Sequence, residues 1–92
     1  MHQIILNEKY TLSFEQSSKK IRLIISAADE ELVCRKETLK NLKNFLLKDQ
    51  FRLFKGRLQL NKLNDIIEVI MKNKPIAIVS AGNFEHVINN LQ

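Results

Sequence analysis

Glycine occurs only twice in these 92 residues, proline once, cysteine once and tryptophan not at all. So little glycine and proline excludes a collagen-like or low-complexity chain, because both compositions depend on those residues. The single cysteine, Cys34, cannot close an internal disulfide, which fits a reducing compartment. The two histidines, His2 and His86, stand far apart, and neither has a second ligand at metal-binding spacing. No apolar run approaches the ~18–20 residues that a membrane span needs. The first eight residues, MHQIILNE, lack a basic n-region, a long apolar stretch and a small-residue cleavage site. A cytoplasmic protein that does not enter the membrane is therefore expected, with a length suited to a single domain over 1–92.

Catalytic signals are equally scarce. With only Gly56 and Gly82 there is no glycine-rich phosphate loop. Cys34 follows Val33 in a short apolar stretch and reads as a buried, inert thiol with no base beside it. His86 lies two residues from Phe84 on an expected helix, which puts it on the wet side. Asp29, Glu30 and Glu31 lack the glycine and the spacing of a calcium loop and read as solvated turn residues. The expectation is a non-enzymatic protein with no cofactor and no metal.

What the chain does have is one unit written twice, over residues 20–46 and 65–91, in halves of about 1–48 and 49–92. Each unit opens on an aliphatic run, IRLII at 21–25 and IEVIM at 67–71. A polar turn, a second apolar run and an amphipathic helix come next, with Leu39, Leu42 and Leu46 set against Phe84, Val87 and Leu91. Ahead of the first unit, Ile4 and Leu6 begin a strand, and Tyr10, Leu12 and Phe14 alternate as the buried face of another. Residues 16–19 form a turn that sets Glu15 opposite Lys20. Phe51 to Leu60 reads as a hairpin closed by the two-residue loop Lys55-Gly56, and Ser80 as the N-cap of the last helix. Within 61–73, Leu63, Ile66, Ile67 and Ile70 also satisfy helical spacing. Strand is preferred there for its β-branched content and its match to the first unit. The fold class is then α+β, a tandem ββββα-ββββα with antiparallel sheet and two helices on one face.

Alternation in these strands leaves apolar residues on both faces. Helices cover only one, so Ile24, Val33, Ile70 and Val79 are expected on the other, where the sheet either curls on itself or meets a second copy in a homodimer.

The net charge of +5 favours anionic partners, and its distribution is uneven. Lys36, Lys40, Lys43 and Lys48 decorate the first helix region, Arg52, Lys55 and Arg57 come directly after, and no basic residue occurs after Lys74. The tight Lys55-Gly56 loop would set Arg52, Phe54, Arg57 and Gln59 on one outward face. Cations for phosphate and a flat ring for a base are what single-stranded DNA or RNA binding requires. Arg22 would extend that face, and Lys40 and Lys43 would join it if the first helix lies alongside. The plainer reading is a surface hairpin with Phe54 packed under Arg57. In layout, the two ββββα units resemble PUR-repeat and whirly-type proteins. That resemblance implies single-stranded nucleic-acid binding on sheet faces, and dimerisation.

Overall fold

The computed structural model describes residues 2–91. The chain runs β1 (His2–Ile5), β2 (Thr11–Ser17), β3 (Lys20–Ala27), β4 (Glu30–Thr38), α1 (Leu39–Leu47), β5 (Gln50–Leu53), β6 (Leu58–Leu63), β7 (Ile66–Met71), β8 (Lys74–Ser80) and α2 (Ala81–Asn89). It is an α+β fold of two ββββα units, each with its own four-stranded antiparallel sheet in meander order. Residues 66–71, where helical spacing competes, are strand β7. Among the described residues no helix is long and apolar enough to cross a membrane.

Both helices start at a hydroxyl cap. The backbone N–H of Asn41 donates to Thr38 Oγ1 at 3.1 Å and that of Asn83 to Ser80 Oγ at 3.0 Å. Each cap satisfies one of the donors that a helix N-terminus leaves without a partner. Counted from these caps, Leu42 corresponds to Phe84 and Phe45 to Val87. This corrects the expected pairing of Leu39 with Phe84, which was one helical turn out of register. Leu42, Phe45, Phe84, Val87 and Ile88 are the buried residues of the two helices.

One hydrophobic cluster takes side chains from both sheets and both helices. Each helix reaches into the other unit. Phe84 of α2 meets Phe14 of the first sheet edge-on, with ring centroids 5.4 Å apart. Phe45 of α1 meets Phe51 of the second sheet at 6.4 Å and Phe84 at 6.1 Å. Polar ties cross the same way. Asn7 Nδ2 donates to the Ile76 carbonyl at 3.0 Å, and the Gln16 amide donates to the Leu91 carbonyl. The buried Lys62 ammonium donates to the carbonyls of Lys48 and Asn64, so its charge is solvated by the end of α1 and by its own turn.

A single bulge in the last strand of each sheet decides which residues face that core. In the first sheet the register moves between Ile25 and Ser26, so that Leu32 is the extra residue and Val33 pairs with Ile25. In the second it moves between Val69 and Ile70, so that Ile76 is extra and Ala77 pairs with Val69. An inserted residue exchanges inward and outward positions along the rest of a strand. Val33 and Val79 therefore point into the core, contrary to their expected place on the uncovered face. Cys34 is turned out beside Ile24 and is exposed, which corrects its expected burial. Ile78 likewise stands 61% exposed.

Candidate functional site

The β5–β6 connection differs from the expected tight hairpin. Leu53 pairs with Leu60 and Arg52 with Asn61, leaving residues 54–57 as a loop between the strands. The shift is two residues, so strand faces are conserved while the loop geometry changes. Arg52 and Gln59 stay together on the outer face of the second sheet, where Arg52 Nη1 donates to Gln59 Oε1 at 2.9 Å. Phe54 does not join them. Its backbone takes a positive φ of 70°, and its half-buried ring packs on the core. The Arg35 guanidinium lies over it at 5.2 Å from the ring centroid, the place expected for Arg57. Such a φ is costly for a bulky residue and is held by the packing around it.

Arg22 is committed elsewhere. Ser17 pairs with Lys20, so Glu15 stands opposite Arg22 rather than Lys20. Arg22 Nη1 donates to Glu15 at 3.0 Å, while Nη2 reaches Glu31 and lies 3.7 Å from Cys34 Sγ. The hydrogen bond to Glu15, then that to Cys34, raises the arginine's pKa further, so this charge is permanent. These pairs extend along the outer face over Ile24, which is only 5% exposed. Ile70, its counterpart in the second unit, is 8% exposed. All four residues expected to form an apolar contact surface are thus inside the chain: Val33 and Val79 in the core, Ile24 and Ile70 beneath the outer face.

On α1, Lys40 lies directly opposite the buried Leu42–Phe45 side, and the half-buried Lys43 lines a cleft between the helices with Glu85 and Asn89. Neither lies by the β5–β6 loop. The helix side turned to β5 carries Asn41, Asn44 and Lys48 instead.

The residues that do come together lie along the junction between β4 and the β5–loop segment. Glu37 shares a cleft with Leu53 at one end. In the middle, Arg35 Nη1 donates to the Lys55 carbonyl at 2.9 Å. At the other end, Val33 and Cys34 share a cleft with Arg57. The two segments thus pass in antiparallel order along a groove of roughly 13 Å, given about 3.3 Å per extended residue. Lys72 of the β7–β8 turn joins the Arg57 end, its backbone N–H donating to the Arg57 carbonyl at 2.7 Å. Among the described residues the ion pairs involve only Arg22, so Arg35, Lys55, Arg57 and Lys72 form none, and the Glu31 carboxylate that lines the Arg57 cleft is bonded to Arg22. Gly56 shapes this end: its φ is 97°, and a Cβ there would lie 3.7 Å from Arg35 Nη1.

Comparison with protein-family models, curated proteins and solved structures gives no match to this chain. The chemistry must be read from the site. Among the described residues no cluster of His, Cys, Asp or Glu could hold a metal ion. Of the residues expected to bind nucleic acid, Arg57 lines the groove and Phe54 lies beneath Arg35 within it, whereas Arg22, Lys40, Lys43, Arg52 and Gln59 lie elsewhere. Lys55 and Phe51 were visible as a basic and an aromatic presence, and Arg35 was missed; their meeting depends on how β4 passes the β5–β6 segment, which no local pattern encodes.

Proposed function

We propose that this protein binds single-stranded nucleic acid without catalysis, along the groove between β4 and the β5–β6 loop. The observation that carries this reading is the row Arg35, Lys55 and Arg57, cations in no ion pair among the described residues, with the neighbouring Glu31 already neutralised by Arg22, on a chain of net charge +5. Arg35 is held by the Lys55 carbonyl and the Phe54 ring, which leaves part of its fork of donors for a phosphate. A groove set between strand edges suits a flexible single strand better than a duplex, which needs a helix or ribbon placed in its groove. The tandem ββββα layout resembles, in order of elements alone, single-strand binders of the PUR-repeat and whirly type, which is in keeping with the same reading.

Anisotropy titration of a fluorescent single-stranded oligonucleotide at increasing salt tests it. Binding is expected to weaken with salt, each phosphate contact contributing roughly 0.7 to the log–log slope. Arg57→Ala should lower both the affinity and the slope by about one contact. Absence of binding to DNA and RNA at low salt, or binding indifferent to Arg57→Ala, ends this reading.

A further inference from the structure

The groove closes at its α1 end in a cleft of about 290 Å³, bounded by Glu37, Asn44, Phe45, Lys48, Phe51 and Leu53. This volume lies at the small end of ligand sites. The walls are mainly aromatic and aliphatic. Phe51 is 45% exposed, backed by the buried Phe45 ring at 6.4 Å, with Lys48 Nζ 5.9 Å from its centroid. An exposed ring fixed by a buried one offers a preorganised face on which a planar ligand can stack.

Of the polar groups in this wall, Glu37, Asn41, Asn44 and Lys48, the carboxylate has a definite sense. Glu37 Oε1 accepts from the Thr38 backbone N–H at 2.9 Å and from Asn41 Nδ2 at 2.9 Å. Those two bonds lock the carboxylate in place. Its other oxygen, Oε2, has no hydrogen-bond partner among the described residues. An ionised carboxylate accepts only, so the cleft asks for a flat ligand that donates. Lys48, whose ammonium lies over the Phe51 ring, adds a cation for an anion attached to a ligand stacked on the ring's other face.

We propose that this cleft is a base-reading subsite for a nucleobase bearing an exocyclic amino group, stacked on Phe51 and donating to Glu37 Oε2. This rests on the groove reading above, whose cations would hold the adjoining phosphates. Cytosine, adenine and guanine carry such an amino group; thymine and uracil present a carbonyl in its place and would set one acceptor against another.

The deciding experiment compares fluorescent dC12 and dT12 strands, two pyrimidine oligomers that differ at C4 in amino group against carbonyl. The expected result is a preference of roughly tenfold for dC12, the discrimination that a good base contact supplies. Glu37→Gln retains an oxygen for Thr38 and Asn41 while turning an amide donor into the cleft. It should abolish or reverse the preference without loss of dT12 binding. Phe51→Ala should weaken both oligomers with little change in salt slope. Equal affinity for dC12 and dT12, or a dC12 preference that survives Glu37→Gln, overturns the subsite. If Arg57→Ala still weakens both strands in that case, the phosphate groove stands alone. If neither strand binds, both proposals fall.

Discussion

The outer faces of the two sheets are built on one plan and finished differently. Ile24 and Ile70 occupy equivalent positions, each turned away from the shared core and each nearly inaccessible. On the first sheet, Arg22 ties Glu15 to Glu31 across the strands beside Ile24, so that the middle of this face is polar and internally paired, with an exposed apolar residue, Ile5, only on its edge strand. On the second there is no such pair among the described residues. Arg52 bonds to neutral Gln59, and Leu63, Ile66 and Ile78 are left 39%, 37% and 61% exposed. Repetition of a backbone therefore does not repeat a surface. The core side of each unit is constrained by packing against the other, whereas the outer side is free to become a charged face or an apolar one.

The largest effects should come from the part the units share. Phe84 and Leu42 hold corresponding places on the two helices, but Phe84 touches both Phe14 and Phe45. Phe84→Ala should cost about 3–5 kcal/mol and Leu42→Ala about 2–5 kcal/mol, with Phe84 the costlier position. Because each helix packs across the boundary between units, denaturant unfolding of both variants should remain a single transition. A separate low-stability transition for the second unit in Phe84→Ala would show that the units unfold independently.

The outer faces give the next test. Ile24→Ala should cost roughly 2 kcal/mol or more, since the residue is 5% exposed, while Ile78→Ala should stay within about 0.5 kcal/mol. Arg22 is what differs between the faces, so its removal should couple to Ile24. Arg22→Ala and Ile24→Ala combined should destabilise less than the sum of the two single changes. Strict additivity in that cycle would mean that the arginine does not cover Ile24, and the contrast between the faces would reduce to composition.

The sequence was most legible where the pattern is local. Alternation in β2, the aliphatic runs of β3 and β7 and the Ser80 cap all carry their meaning within a few residues. The order of elements in both units came from them. Legibility stopped at the two bulges. Leu32 and Ile76 look like any other strand residue, yet each reverses the facing of the residues after it, sending Val33 and Val79 inward and Cys34 and Ile78 outward. The groove was hidden for a different reason. Phe54 reads as an outward aromatic by alternation, but its positive φ takes it out of the strand and under Arg35, a residue distant in sequence. Contacts between the edges of separate sheets leave no periodic trace.

The smallest effects concern the turns, where the two units agree most closely. The β3–β4 turn places Ala28 and Asp29 at φ 51° and 63°, and the β7–β8 turn places Lys72 and Asn73 at 52° and 67°. Two consecutive positive φ values closing a two-residue hairpin is the type I′ arrangement, which matches strand twist and strongly favours Asn, Asp and Gly. Ala28 and Lys72 have neither the missing Cβ of glycine nor the short polar side chain of Asn, so each bears the left-handed penalty of about 1–2 kcal/mol. Replacing either by Gly removes that penalty but adds freedom to the unfolded chain, which offsets part of the gain. Ala28→Gly and Lys72→Gly should therefore each stabilise by about 0.5–1 kcal/mol. Because the turns are distant and share no partner, the double variant should show the sum of the two. The two can nevertheless be told apart by function. Lys72 stands at the Arg57 end of the basic groove and Ala28 does not. Lys72→Gly should weaken binding of a single-stranded oligonucleotide while raising the unfolding midpoint, whereas Ala28→Gly should raise the midpoint alone. Loss of stability in either variant would show that the turn is held by side-chain contacts rather than strained by its backbone.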